Sequence, residues 1–224
     1  MKTLVCVFAH PDDEAFGPGG TIAKLSKKFN IYLLCATKGE EGQVQGIKRS
    51  KSTKSIKSLG EIRAEELRKS AKILGVKKVY FLGFQDGTLS NNLYHELARK
   101  IKHHLLKLKP QTVLTFEPRG VSGHIDHITV SMVTSFVVQK LSFVKTVLQF
   151  CRPESFARRR QNYFIYFPPG YKKSEIDKVV DISKVWNKKI EAMKEHKSQF
   201  KDFERIMKRF KKFPKKEYFL VKKI

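Results

Sequence analysis

The stretch Thr3-Leu4-Val5-Cys6-Val7-Phe8-Ala9-His10-Pro11-Asp12-Asp13-Glu14 changes character at Ala9, where a strand-like apolar run gives way to an imidazole, a proline and three carboxylates. A run that is apolar along its length, without alternation, reads as a strand buried on both faces, as in a parallel sheet. Its C-terminal end is the edge at which open α/β sheets bind ligands. A second strand-like run, Thr112 to Glu117, leads into Ser122-Gly123-His124-Ile125-Asp126-His127. If the two strands share that edge, the two polar clusters meet. His10, Asp13 and His127 then supply two imidazoles and one carboxylate, a donor set that zinc accepts with one coordination position left open. Other divalent metals suit the same donors. Asp12 stays outside that set and is a candidate general base.

Outward from the first strand, the elements alternate. Gly17 to Gly20 turn into a helix over Thr21 to Phe29, and Ile31 to Thr37 is a second buried strand. A polar loop runs from Lys38 to Ser58. A helix over Glu61 to Leu74 ends at Gly75, and Lys78 to Leu82 is a strand. A helix over Asn91 to Leu108 stops before Pro110, and Thr112 to Glu117 precedes a helix over Ile125 to Leu141. This alternation predicts an α/β fold over residues 1–141, a Rossmann-like, mostly parallel sheet with helices on both faces. Over 142–224 the pattern loosens. Asn162 to Phe167, Val179 to Ile182 and Tyr218 to Val221 are strand-like, while Lys184 to His196 and Phe200 to Phe210 are helical. These predict a mixed α/β extension of the same single domain, 1–224, with no internal repeat or linker.

The blocks Ala9 to Glu14 and His124 to His127 resemble the A-H-P-D-D-E and H-x-D-H motifs of the PIG-L/LmbE-like zinc-dependent N-deacetylases. Thr37 to Glu40, Arg63 to Glu66, Leu74 to Val76, Phe81 to Gly87 and the segment from Asp181 to Gln199 are similar to that family's other signatures, in the same order. The resemblance implies a hydrolase with one zinc ion per chain. Its reaction would remove the acetyl group from an N-acetylglucosamine-type amide on a glycolipid, a glycoside or a thiol-precursor sugar. It also implies a metal position for His127 beside His10 and Asp13, a second catalytic position for His124, and substrate-contacting positions for Arg63 and Asp86. Asp126 is expected to orient His124 and hold it protonated, so that a cationic ring stabilises an oxyanion. Either Asp12 or His124 can then protonate the leaving amine. From the residues alone, Arg63 also reads as an exposed partner of Glu66, and Asp86 before Gly87 as a turn former. Glu14 is expected to brace the loop or His10, and His196 either to reach the rim of the site or to cap its helix. Ile125 departs from the family pattern, where many members carry proline, and this affects loop stiffness more than ligation.

At 224 residues and 41% hydrophobic, the chain is long enough for a substantial core. No stretch approaches the roughly 20 apolar residues of a membrane span, and no signal-peptide pattern precedes the first strand, so a cytoplasmic protein is expected. Cys6, Cys35 and Cys151 lie in or just after apolar runs without framework spacing and read as buried thiols. The formal charge of +25 raises nucleic acid or an anionic membrane as partners. Its spread along the chain favours a solvated lysine-rich surface instead. The densest runs are Lys48 to Lys57, read as a mobile loop, and Lys201 to Lys216, read as a basic-faced docking helix. The partner expected first is an N-acetylated amino sugar, and a homo-oligomer is compatible with the composition. The alternative class is a non-catalytic or weakly active member that binds anionic surfaces or nucleic acid.

Overall fold

The computed structural model of the chain describes residues 1–42, 57–156, 166–210 and 213–224. Strand β1 (Lys2–Phe8), buried from Leu4 onward, lies parallel to β2 (Phe29–Thr37), with Leu4 opposite Ile31 and Cys6 opposite Leu33. Beyond β2 lies β3 (Val76–Phe84). On the other side of β1 runs β4 (Thr112–Phe116), with Cys6 opposite Leu114, followed by β5 (Thr146–Cys151), and all five strands are parallel. The sheet is completed by β6 (Lys178–Asp181) and β7 (Lys216–Lys223), with β7 antiparallel to both β5 and β6, in the order β3-β2-β1-β4-β5-β7-β6.

The helices are α1 (Asp13–Phe16), α2 (Gly19–Leu25), α3 (Leu59–Ile73), α4 (Tyr94–Leu108), α5 (Gly120–Gly123), α6 (Ile125–Val138), α7 (Trp186–Glu195) and α8 (Phe200–Phe210). α1, α2, α3 and α7 pack together on one face of the sheet, and α4 and α6 on the other. Helices on both faces explain why β1, β2 and β4 are apolar without alternation. After β3 the chain crosses to the far side of β1, so the connections leaving neighbouring β1 and β4 diverge to opposite faces. A crevice opens at their C-terminal ends, the switch point of a doubly wound sheet.

Local chemistry sets the boundaries. Ser58 Oγ accepts from the Glu61 amide and the Glu61 carboxylate accepts from the Ser58 amide, a capping box that starts α3. α4 stops at Lys109, which adopts φ +43° ahead of Pro110, because proline disfavours helical geometry in the residue before it. The helix expected over Thr21 to Phe29 is α2, which begins earlier, at Gly19, and ends at Leu25, and Phe29 already pairs with Lys2 in the sheet. β5 is the apolar run before Cys151, whose bounds the sequence pattern leaves open because Gln149 interrupts it; in the sheet Gln149 is buried. Residues 162–165 of the expected strand Asn162 to Phe167, and 48–56 of the basic loop, lie outside the described residues.

The segment expected as a basic-faced helix is α8, with Lys201 and Lys208 exposed. Phe203, Ile206 and Phe210 pack against the core, and its other face walls a cavity. The extension grips the core through a buried ion pair. Glu217 of β7 accepts from Lys189 Nζ at 2.6 Å and from the Gly20 and Thr21 amides at 2.9 and 2.6 Å, while Lys189 also donates to the Gly17 carbonyl at 2.5 Å. With every partner satisfied, this pair fixes the α1–α2 turn beneath the crevice. The three cysteines are buried and free of disulfides. No helix among the described residues is long and apolar enough to cross a membrane.

Candidate active site

The turn after β1 and the start of α6 bring His10, Asp13 and His127 together. His10 Nδ1 lies 3.2 Å from His127 Nε2, and the Asp13 oxygens lie 3.8 Å from His10 Nδ1 and 3.3 Å from His127 Nε2. Donors at about 2.0–2.2 Å from a tetrahedral zinc stand roughly 3.3–3.5 Å apart, and the separations of His127 Nε2 from His10 Nδ1 and Asp13 Oδ1 are close to that spacing, so the three residues fit a shared ion. The opposite nitrogens fit as well. His10 Nε2 faces Asp86 Oδ1 at 2.8 Å and Asp126 Oδ2 at 3.2 Å, and His127 Nδ1 faces the Gly120 carbonyl at 3.1 Å. Such acceptors fix the ring tautomers and turn the remaining lone pairs toward a metal. A second cluster, His10, His124 and Asp126, also has metal-like spacing. It suits an ion less well, because the outward nitrogen of His10 and the oxygens of Asp126 already serve hydrogen bonds.

Charge is concentrated here. Burial works against a proton on His10, yet Asp126, Asp86 and Asp13 hold it up at about 10. Burial likewise disfavours an ionised Asp13, but His127 and His10 keep it well below the ordinary carboxylate range. Asp86 is held below its ordinary value, burial being outweighed by His10.

Asp12 lies beside this set at φ +114°, a strained backbone for a residue with a Cβ. Two buried groups hold it there. Arg63 donates to Asp12 Oδ2 at 3.0 Å and to the carbonyls of Pro11 and Gly39, both at 2.8 Å. Glu14 Oε2 accepts from the Asp12 amide at 3.1 Å, while Glu14 Oε1 accepts from Ser70 Oγ at 2.5 Å and meets His196 Nε2 at 2.7 Å. Arg63 is therefore buried at the site as a clamp on Asp12, not an exposed partner of Glu66, and it also lines the cavity. Glu14 braces the loop as expected. His196 stands at the C-cap of α7, but its ring is buried and reaches back to Glu14. That contact spans 182 residues and leaves no local signal in the sequence.

His124 differs most from expectation. It is the N-cap of α6, and its Nδ1 accepts from the Asp126 amide at 3.1 Å. A backbone N–H can only donate, so Nδ1 is unprotonated and the neutral ring carries its hydrogen on Nε2. Burial and the neighbouring His10 and His127 push this imidazole down to about 4. The cationic ring expected from sequence is thus a neutral Nε2–H donor. The Asp126 carboxylate accepts from His10 Nε2, from the Gly87 amide at 2.8 Å and from the Leu89 amide at 3.3 Å, so it orients His10.

These groups line a cavity of about 760 Å3 that extends to Arg152 beyond β5 and to Arg205 and Arg209 on α8. A family model described as GlcNAc-PI de-N-acetylase matches residues 5–138, spanning both clusters. The chain belongs to the PIG-L family. It is 31% identical over 201 residues to a probable N-acetyl-alpha-D-glucosaminyl L-malate deacetylase 2 of Bacillus anthracis, covering 89% of this chain and 82% of that protein. It is also 31% identical over 208 residues to a diacetylchitobiose deacetylase of Thermococcus kodakarensis, covering 89% and 71% respectively. The fold matches that of N,N'-diacetylchitobiose deacetylase from Pyrococcus horikoshii, solved with its inhibitor MPG, at TM-score 0.69 and 24% identity, covering 99% of this chain and 84% of that one. A PIG-L chain is thus similar, over most of its length, to enzymes named for removing acetyl groups from amino sugars.

Proposed function

We propose that this chain is a zinc-dependent amide hydrolase that removes the acetyl group from an N-acetylglucosamine-type sugar, with His10, Asp13 and His127 holding the metal. The observation that carries this reading is the convergence of two imidazoles and a carboxylate on one volume, with an unligated carboxylate, Asp12, beside it in a large cavity. Zinc bound there supplies a Lewis acid for the acetyl carbonyl and lowers the pKa of a bound water toward about 7. Asp12 takes a proton from the attacking water as its oxygen bonds to the acetyl carbon. His124 Nε2–H donates a hydrogen bond to the oxygen that gains charge. Asp12 then returns its proton to the nitrogen as the carbon–nitrogen bond breaks, releasing acetate and a free amine. Arg63 and the Glu14–His196 pair hold Asp12 in place, and Asp86 offers its remaining lone pairs to a sugar hydroxyl. The test is zinc content together with acetate release from a panel of N-acetylglucosaminides; a protein without metal or turnover on all of them sinks the reading.

The protonation of Asp12 gives the acid limb a direction. Burial raises its carboxyl most, Arg63 opposes and Asp13 adds, leaving it at about 6. A base works only when ionised, so kcat/KM is expected to fall about tenfold per pH unit below that value and to level off above it. Initial rates of acetate release between about pH 5 and 8 check this, and a flat acid limb would remove Asp12 as the titrating base.

The placement of Asp126 gives a second expectation. Asp126→Asn is expected to weaken zinc affinity by roughly 10- to 100-fold, because it loosens the ring of His10. Competition with a chelator measures this; unchanged affinity would return Asp126 to a role on His124.

A further inference from the structure

We propose that Glu117, directly after β4, is a positioning residue for the site: its buried carboxylate clamps the turn over residues 119–123 in a strained form that sets where His127 stands. This rests on the deacetylase reading, in which His127 holds zinc. Glu117 is only 2% exposed. Its Oε2 accepts from the Arg119 amide at 2.7 Å and from the Tyr171 hydroxyl at 2.6 Å, and its Oε1 accepts from the Val121 amide at 2.6 Å. A carboxylate taken out of water needs donors to replace the hydration it has lost. Here the two oxygens each take a backbone amide of the same turn, so the carboxylate bridges Arg119 and Val121.

Val121 shows why the turn needs holding. Its backbone stands at φ +63° and ψ −47°, near the γ-turn form that is rare and strained, and a β-branched residue there is an outlier. Such a conformation persists only where the surrounding structure over-determines it, and it clusters at functional sites. The link to the site is Gly120, at φ +70°. Its amide donates to the Glu117 carbonyl at 2.9 Å, and its own carbonyl meets His127 Nδ1 at 3.1 Å, the contact that fixes the ring tautomer. The turn also presses on the start of α6. A Cβ at Gly120 would stand 2.9 Å from the Ile128 amide nitrogen and 3.0 Å from His127 Cβ, so a shift in the turn moves His127 directly. Arg119 is held twice, by its amide on Glu117 and by its guanidinium, 3.7 Å from the ring centre of Tyr171. Through the Tyr171 hydroxyl, the same carboxylate ties the C-terminal extension to the turn that carries the site.

The experiment is a cycle of Glu117→Gln, Val121→Gly and the two together. Glutamine keeps the shape of the side chain but exchanges one oxygen for an amino group, which cannot accept, so either the Arg119 or the Val121 amide loses its partner. Zinc affinity, read by competition with a chelator, is expected to fall about tenfold or more in Glu117→Gln, the effect of disturbing a group that orients a ligand. The visible spectrum of the protein loaded with cobalt(II) in place of zinc should change with it, because that spectrum follows the arrangement of the ligands. Glycine adopts the φ of residue 121 freely, so in the Val121→Gly background the same substitution should lower affinity by less than about threefold. A carboxylate that only stabilised the fold would lower the melting temperature and leave the affinity alone. Unchanged affinity and cobalt spectrum in Glu117→Gln, or an equal loss in both backgrounds, would overturn the proposal and leave the deacetylase reading standing. Should Glu117→Gln fail to fold, recovery of the folded protein by Val121→Gly supports the clamp, and continued failure overturns it. If the wild-type chain binds no zinc, the deacetylase reading falls and the imidazole NMR signals of His127 decide the clamp: signals that move in Glu117→Gln and return in the double variant support it, and signals that stay in place overturn it.

Discussion

His127→Ala is expected to yield a folded protein with no stoichiometric zinc and with acetate release at background. The side chain supplies one of three converging donors, its Nε2 standing 3.2 Å from His10 Nδ1 and 3.3 Å from Asp13 Oδ1. Removing it leaves one imidazole and one carboxylate, too few to hold zinc against water. The fold should survive. His127 lies in the first turn of α6 with its ring stacked on Phe116 and about a tenth of its side chain exposed, so truncation widens a cavity already open to solvent. A cost of about 1–2 kcal/mol is in the ordinary range for such a change and small beside a typical domain stability of about 5–15 kcal/mol. Metal analysis after dialysis, with circular dichroism as the folding control, reads both outcomes. His124→Ala is the contrasting variant, expected to keep zinc and lose rate. Full zinc in His127→Ala would remove it from the ligand set and shift attention to His10, His124 and Asp126, the other group with metal-like spacing.

What could be read from the chain followed from how its segments are buried. β1, β2 and β4 are covered on both faces, so their apolar runs are unbroken and their ends, with His10 and His124 to His127 close behind, mark the crevice. Strand β5 carries Gln149 in its middle and loses that signal, although it is no less central to the sheet. Asp126 misled because adjacency in sequence suggested His124, whereas residues two apart at a helix start point in different directions. Its carboxylate crosses the crevice to His10, 116 residues away. Arg63 gave no local sign of burial, since an arginine in the first turns of an amphipathic helix reads the same whether it faces solvent or a carboxylate on another loop. The arginines of α8 were hidden differently. Against a formal charge of +25, only the tertiary fold separates Arg205 and Arg209, which reach the cavity, from lysines that do not.

Asp12→Asn is expected to keep full zinc and to lower kcat by roughly 10²-fold or more, with little change in KM. The three converging donors do not include Asp12, so metal content is a clean control. The backbone should also hold. Asp12 sits at φ +114°, and asparagine tolerates positive φ about as well as aspartate does. Its amide oxygen can still accept from Arg63, whose other hydrogen bonds, to the Pro11 and Gly39 carbonyls, are untouched. What the substitution removes is a basic lone pair able to take and return a proton, and neutral His124 does not replace it: its Nδ1 is occupied by the Asp126 amide and its pKa stands at about 4. A 10²-fold loss corresponds to about 2.7 kcal/mol of transition-state stabilisation, which a mere change in packing at a partly exposed side chain does not produce. The pH profile separates the roles further, because the acid limb near pH 6 should disappear in the variant along with the rate. Near-wild-type turnover at full zinc would assign the proton transfers to another group, and His124 would then have to gain a proton that its helix-capping hydrogen bond now keeps away.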